Sequence, residues 1–193
     1  MDDSQFVEYL SRMRAQIEDT VRHRAPVKIG REASDMFKEN FRRSGYQGNG
    51  FTPWAITRRQ QSGGKDASSQ YGPLLSRQPH LMPSVQYIPG DASVVISNPL
   101  PYAQIHNDGG TIYPTVTPAL RAYFWKEYYA HGGHVKGSTA PETPESKIYK
   151  AIALTKKPSL RVHIPKRQFM GDSPELRQRI KDNIESILNA ILK

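Results

Sequence analysis

The stretch NPLPYAQIHNDGGTIYP, residues 98–114, decides how the whole chain reads. It packs prolines, tyrosines, one histidine, one aspartate and a glycine pair into a segment that reads as either a catalytic loop or a structural corner. Pro99 and Pro101 hold the chain extended, because the pyrrolidine ring fixes φ and biases the preceding residue away from helix. Tyr102 and Ile105 are spaced to anchor a short helical turn, and Gly109-Gly110 permits the reversal that starts a strand. Catalysis by His106 and Asp108 fits less well. Residues two apart on a helix diverge, and a general base needs a partner within hydrogen-bond reach. The corner reading makes His106 a group that bonds to nearby backbone or meets a neighbouring molecule.

Before this corner, MPSVQYIPGDASVVISN places two β-prone runs, 84–88 and 93–97, around Pro89-Gly90-Asp91, which is hairpin chemistry. After it, Thr117 and Pro118 open a helix carrying Leu120, Phe124 and Tyr128, which Gly132-Gly133 stops. A second strand pair is expected at 149–154 and 160–164. At the N-terminus, Phe6, Leu10, Met13, Ile17 and Val21 recur at helical spacing behind Asp3 or Ser4 as cap, and Pro26 should end that helix. A second helix carries Ala33, Met36, Phe37 and Phe41. At the far end Ser173 serves as N-cap, with Pro174 and Glu175 in the first turn. Leu176, Ile180, Ile184, Ile187, Leu188 and Ile191 then form one stripe, expected to supply much of the core. The fold class is α+β: an antiparallel sheet of about four strands, packed with N-terminal and C-terminal helices. A single domain spans 1–193, with long loops at 44–80 and 131–147 and a helical insertion at 117–147.

The 27 lysines and arginines against 18 acidic residues give a net charge of +9, spread along the chain without a block of like charges. Such a surface suits acidic protein faces or nucleic acid. Cysteine is absent, so there are neither disulfide staples nor thiolate zinc ligands. The polar, acidic start lacks the pattern of a secretion signal, and no run of about 18 apolar residues spans a membrane. The chain is expected to be soluble, with no membrane partner.

Walker and dinucleotide-type glycine loops, a nucleophile elbow, HExxH and an EF-hand loop are all missing from the sequence. Histidines remain as candidates for metal: His106 with Asp108, and His131 with His134 in AHGGH. The last two fall at a helix stop among glycines, where a ligand cage is hard to preorganise. No catalytic residue, metal or cofactor is therefore expected. RAYFWKEYYAHGGHVK, 121–136, interleaves Tyr123, Phe124, Trp125, Tyr128 and Tyr129 with Arg121, Lys126 and Lys136, a composition able to stack bases. Helical spacing instead splits these aromatics into a core stripe and a second stripe, Trp125 with Tyr129, which favours contact with a protein or a subunit.

The order of FTPWAITRRQ, GPLLSRQPHLMPSVQY, DASVVISNPLPYAQIHNDGGTI and HIPKRQFMGDSPELRQRIKDNI resembles successive segments of the phage virion morphogenesis family, also called the tail completion or Mu protein G-like family. The resemblance covers 31–193. Its most specific parts are YAQIHNDGG, with Tyr102, Ala103, His106, Gly109 and Gly110 in the motif positions, and IPKRQFMG, with Ile164, Pro165, Arg167, Phe169 and Gly171. Gln78, Pro79 and His80 depart from the family pattern before Leu81 and Ser84. The resemblance implies a structural protein of the phage neck or tail end, acting in tail completion and head-to-tail joining and assembled in the host cytoplasm. Its expected partners are further copies of itself in a ring and the adjacent neck, connector or tail-tube proteins, with DNA in a central channel as a further candidate. A DNA-binding module is the alternative, followed by a metal-dependent nuclease using His106, Asp108, His131 and His134.

Overall fold

A computed structural model describes residues 2–61, 71–77, 80–134 and 141–192. Lys136, Gln78, Pro79 and much of both expected loops lie outside these residues. The chain divides into two compact units, 1–109 with 165–193, and 110–164. The helical insertion expected at 117–147 lies inside the second.

The first unit opens with α1 (Asp3–Asp19), capped by Asp2 instead of Asp3 or Ser4. The Asp2 carboxylate accepts the Gln5 amide at 2.8 Å, and the Gln5 side chain accepts the Asp2 amide in return. Pro26 does not end the helical path. One π turn, Thr20–Arg24, leads straight into α2 (Ala25–Arg43), with Pro26 in its first turn. The proline is tolerated because the Arg22 carbonyl, which loses its helical donor, accepts the Ala92 amide at 3.1 Å instead. Ala33, Met36, Phe37 and Phe41 on α2 are all buried, as their spacing requires, and so is Asn40 beside them.

Ser44 closes α2 in the left-handed region, φ 54°, with its amide bonded to Asn40 and Phe41 carbonyls. The segment read as loop from 44 then forms a hairpin, β1 (Gly45–Gly48) with β2 (Gly50–Pro53). Trp54 follows, buried edge-on to Phe41 at 5.8 Å between ring centroids. After the short α3 (Arg58–Gln61) come β3 (Gln86–Gly90) and β4 (Ser93–Ser97), antiparallel in the register Gln86 opposite Ser97. Their turn is Asp91-Ala92, so Pro89 and Gly90 belong to the strand. The hairpin packs on α2 where Gly30 sits: a Cβ there would stand 2.5 Å from Tyr87 Cδ2 and 2.7 Å from Val94 Cγ2. Then come α4 (Ala103–Asp108) and, at the end of the chain, α7 (Pro174–Ile191).

The stripe on α7 contributes less to the core than its periodicity implies. Leu176 is buried and Ile180 partly packed on the core, but Ile184 is 37% exposed. The helix runs past the end of the core after two turns. It also touches α1, on which Met13 and Ile17 are half-buried.

The second unit is built on β5 (Gly110–Ile112) paired antiparallel with β6 (Val162–Ile164), Gly110 opposite Ile164. Between them lie α5 (Pro118–Ala130) and α6 (Pro144–Ala153). The expected strand at 149–154 is therefore wrong; residues 149–153 form the second half of α6 and Leu154 is its C-cap. Thr143 accepts the Ser146 amide at 3.1 Å, as Thr117 accepts that of Leu120 at 3.1 Å, so both helices start with the same hydroxyl-proline cap. Phe124 stacks on Tyr149 at 6.3 Å, and the Arg121 guanidinium donates to the Ala153 carbonyl that ends α6. The fold is α+β. Its described strands are six, in three separate antiparallel pairs and not one sheet of four.

Candidate assembly site

The corner at 98–110 forms as its residues dictate. Tyr102 precedes α4, Ala103 is buried against the core, and the Gly109 amide closes the turn on Ile105 O at 3.0 Å. Gly109 has φ +73°, and a Cβ there would stand 2.7 Å from Lys166 N. Only glycine fits this close approach of two backbones. Gly110 and Ile164 are paired on β5 and β6 of the second unit.

The second motif threads back against this corner. The Arg167 amide donates to His106 O at 2.9 Å. One residue on, Asn107 Oδ1 accepts two backbone amides, Phe169 at 2.9 Å and Met170 at 3.0 Å. From the other side, Asn40 Nδ2 donates to Phe169 O at 3.0 Å, and Trp54 Nε1 donates to Gln168 O at 2.9 Å. The Arg167 guanidinium donates to Ala55 O at 3.3 Å through its terminal nitrogen. The Phe169 ring lies 4.7 Å from that of Phe41 and is 1% exposed. Beyond Gly171, Ser173 accepts the Leu176 amide at 3.1 Å and starts α7. The two motifs are thus one clamp, in which Phe169 fills the core and polar side chains satisfy the backbone of 167–170.

Sequence reasoning missed three members of this clamp: Asn107, Asn40 and Trp54. Asn40 carried a signal, since it is polar on the face of α2 that buries Met36 and Phe37. Asn107 carried none, because its partners lie 62 and 63 residues away.

His106 borders an open cavity of about 520 Å³ with Thr57, His80, Leu81, Tyr102 and Arg167. Its Nδ1 is buried and has no hydrogen-bond partner among the described residues, and burial, then the nearby Arg167 cation, pushes its pKa below the ordinary value. His106 is therefore a neutral ring at neutral pH. His131 and His134 belong to the second unit and serve the end of α5: the His131 ring bonds to Glu127 O at 2.9 Å, and the His134 amide donates to the Tyr128 hydroxyl at 2.9 Å. Among the described residues no group of three His, Asp or Glu side chains is placed to share a metal ion.

On α5, Tyr128 is buried and donates to Glu142, while Trp125 is half-buried and stacks on the exposed Tyr129 at 6.2 Å. Trp125 also packs edge-on against Tyr128 at 5.4 Å, and Tyr129 faces outward. No helix among the described residues is long and apolar enough to cross a membrane.

No curated protein and no solved structure matches the chain. A family model does, over residues 1–189, so that α1 and both halves of the clamp fall within the match. The chain belongs to the phage virion morphogenesis family and acts in phage virion assembly, in association with other virion proteins.

Proposed function

We propose that the protein is a structural component of the phage neck or tail end, acting in tail completion and head-to-tail joining as a cyclic homo-oligomer. The observation that carries this reading is how the motif spends its polar groups. Asn107, Arg167 and Trp54 all bond to backbone that must be held in place. A motif used this way is a scaffold that fixes a shape for neighbours to recognise. In this reading the chain performs no catalytic step and takes no cofactor, and Tyr102, His106 and the outward Tyr129 belong to contact surfaces. The net charge of +9 suits acidic faces of adjacent neck, connector or tail-tube proteins, or DNA in a channel.

Light scattering and negative-stain imaging of the purified protein test this. Closed rings of defined mass are expected, and a strict monomer at all concentrations overturns the cyclic part. The alternative, a DNA-binding module, is favoured by the basic charge alone. It predicts a steep fall of DNA affinity with salt as phosphate contacts release counterions, and a flat response excludes it.

A further inference from the structure

We propose that the first half of α1 is an arm that docks one copy of this chain on the next, its acidic and apolar tip seated on the basic cleft of the neighbouring copy. The cleft runs along α2 and is closed by Arg179 of α7. This rests on the ring-forming reading above and supplies its contact.

Two features mark the arm. Of the 17 residues in α1 none is buried, and Phe6, Val7 and Leu10 remain 52, 61 and 46% exposed. The half-buried side chains of α1, Met13 and Ile17, both lie in its second half. The first half is nonetheless a defined helix from its first turn, because Asp2 and Gln5 cap each other. A formed amphipathic helix with an uncovered apolar face is built to meet a partner. Its own α2 is out of reach. The helical path runs unbroken from α1 into α2, so the tip cannot fold back on it, and Phe6 stands about 21 Å along the axis from Thr20 at 1.5 Å per residue.

Charge identifies the partner as a second copy. Residues 2–10 carry Asp2, Asp3 and Glu8 and no basic side chain; Glu8 pairs with Arg12 one turn on, so the tip's acidic character rests on Asp2 and Asp3. Five of them, Lys28, Arg31, Arg42, Arg43 and Arg179, line a cleft of about 510 Å³ over the buried Met36. The same cleft holds Glu32, Asp35 and Glu39; Arg42 pairs with Glu39 at 3.0 Å, and Arg179 with Glu175 at 3.1 Å and Glu32 at 3.9 Å, so the cations outnumber the lining carboxylates by five to three. Lys28 and Arg31 form no ion pair among the described residues. The chain therefore carries both an acidic apolar tip and an incompletely neutralised basic receptor. These are different patches, so the contact is head-to-tail, the kind that closes into a ring when the rotation permits.

The test compares full-length variants by light scattering. Phe6→Glu with Leu10→Glu is expected to reduce the assembly to the 21.8 kDa monomer, with helical content and melting temperature unchanged because neither residue is buried. Asp3→Lys should weaken assembly severalfold, and adding Lys28→Glu or Arg31→Glu to the same chain should restore it by reversing both signs, while Glu8 is kept because it pairs with Arg12 within the arm. An oligomeric parent whose Phe6→Glu, Leu10→Glu variant still assembles sinks the arm and leaves the ring reading standing. A charge reversal that fails to restore assembly sinks the pairing of tip with cleft. A parent that never assembles sinks both readings. If the apolar variant assembles normally yet loses virion yield in complementation, the arm belongs to a different virion protein and the proposal is overturned.

Discussion

Asn107 Oδ1 accepts the backbone amide of Phe169 at 2.9 Å, joining the corner at 98–110 to the segment that carries Phe169 into the core. The same oxygen takes the Met170 amide, so one carboxamide satisfies two donors that the surrounding apolar side chains cannot. Asn107→Ala leaves both amides unpaired, at about 1–3 kcal/mol each. A fall in melting temperature of several degrees or more is expected, while Asn107→Asp, which keeps an acceptor in place, should recover much of it. Equal stability of parent and Asn107→Ala would show that the clamp is not held there.

The protonation of His106 sets a pH dependence. Its folded pKa lies below the ordinary value near 6.5, so the unfolded chain binds the proton more readily. The stability this contributes is present above about pH 6.5 and is lost as pH falls through the lower folded pKa. Melting temperature measured from pH 7.5 down to 5 should decline in that window, and His106→Gln should flatten the decline. An unchanged slope in the variant assigns the decline to other groups.

Gly30 is a test of packing against propensity. In a helix interior, glycine to alanine normally stabilises by about 1 kcal/mol. Here the added Cβ would press on Tyr87 and Val94 of the hairpin, and overpacking costs about 1–3 kcal/mol. Gly30→Ala should therefore lower the denaturation midpoint, and Gly30→Val should lower it further. A higher midpoint for Gly30→Ala would mean the hairpin moves aside freely.

Two positions on one stripe of α7 should behave differently. Leu176→Ala removes a buried side chain and should cost about 2–5 kcal/mol. Ile184→Ala, at a site 37% exposed, should cost under about 1 kcal/mol, and even Ile184→Asp should leave the domain folded. Urea titrations of the two alanine variants decide it; similar losses would put Ile184 back in the core.

The outward aromatic on α5 predicts an assembly defect separable from folding. Trp125 also touches the buried Tyr128, edge-on at 5.4 Å, so Trp125→Ala mixes stability with contact. Tyr129→Ala is the cleaner change, since its ring is 54% exposed. If Tyr129 anchors a contact, truncation should weaken association by about 2 kcal/mol and lower virion yield, with melting temperature held within a degree or two. Normal assembly would make this stripe peripheral.

Much of this protein is decided locally and was therefore legible in the sequence. Ser173-Pro174 and Thr117-Pro118 start helices because a hydroxyl acceptor and a fixed φ act within one turn. The corner at 98–110 forms because prolines and glycines restrict or free their own backbone. What failed is what distant residues decide. The run at 149–154 suits strand or helix equally, and packing of Phe124 on Tyr149 favours the helix. Pro26 should have broken the helix. It removes the amide that would cap the Arg22 carbonyl, and the Ala92 amide, 70 residues on, donates to that carbonyl at 3.1 Å instead. The six aliphatics of α7 share a face by periodicity, yet periodicity does not say how far the core extends beneath them. The clamp is the same case: Asn107 and Phe169 are separated by 61 residues in sequence, and a buried amide takes whichever acceptor the tertiary fold brings within 3 Å.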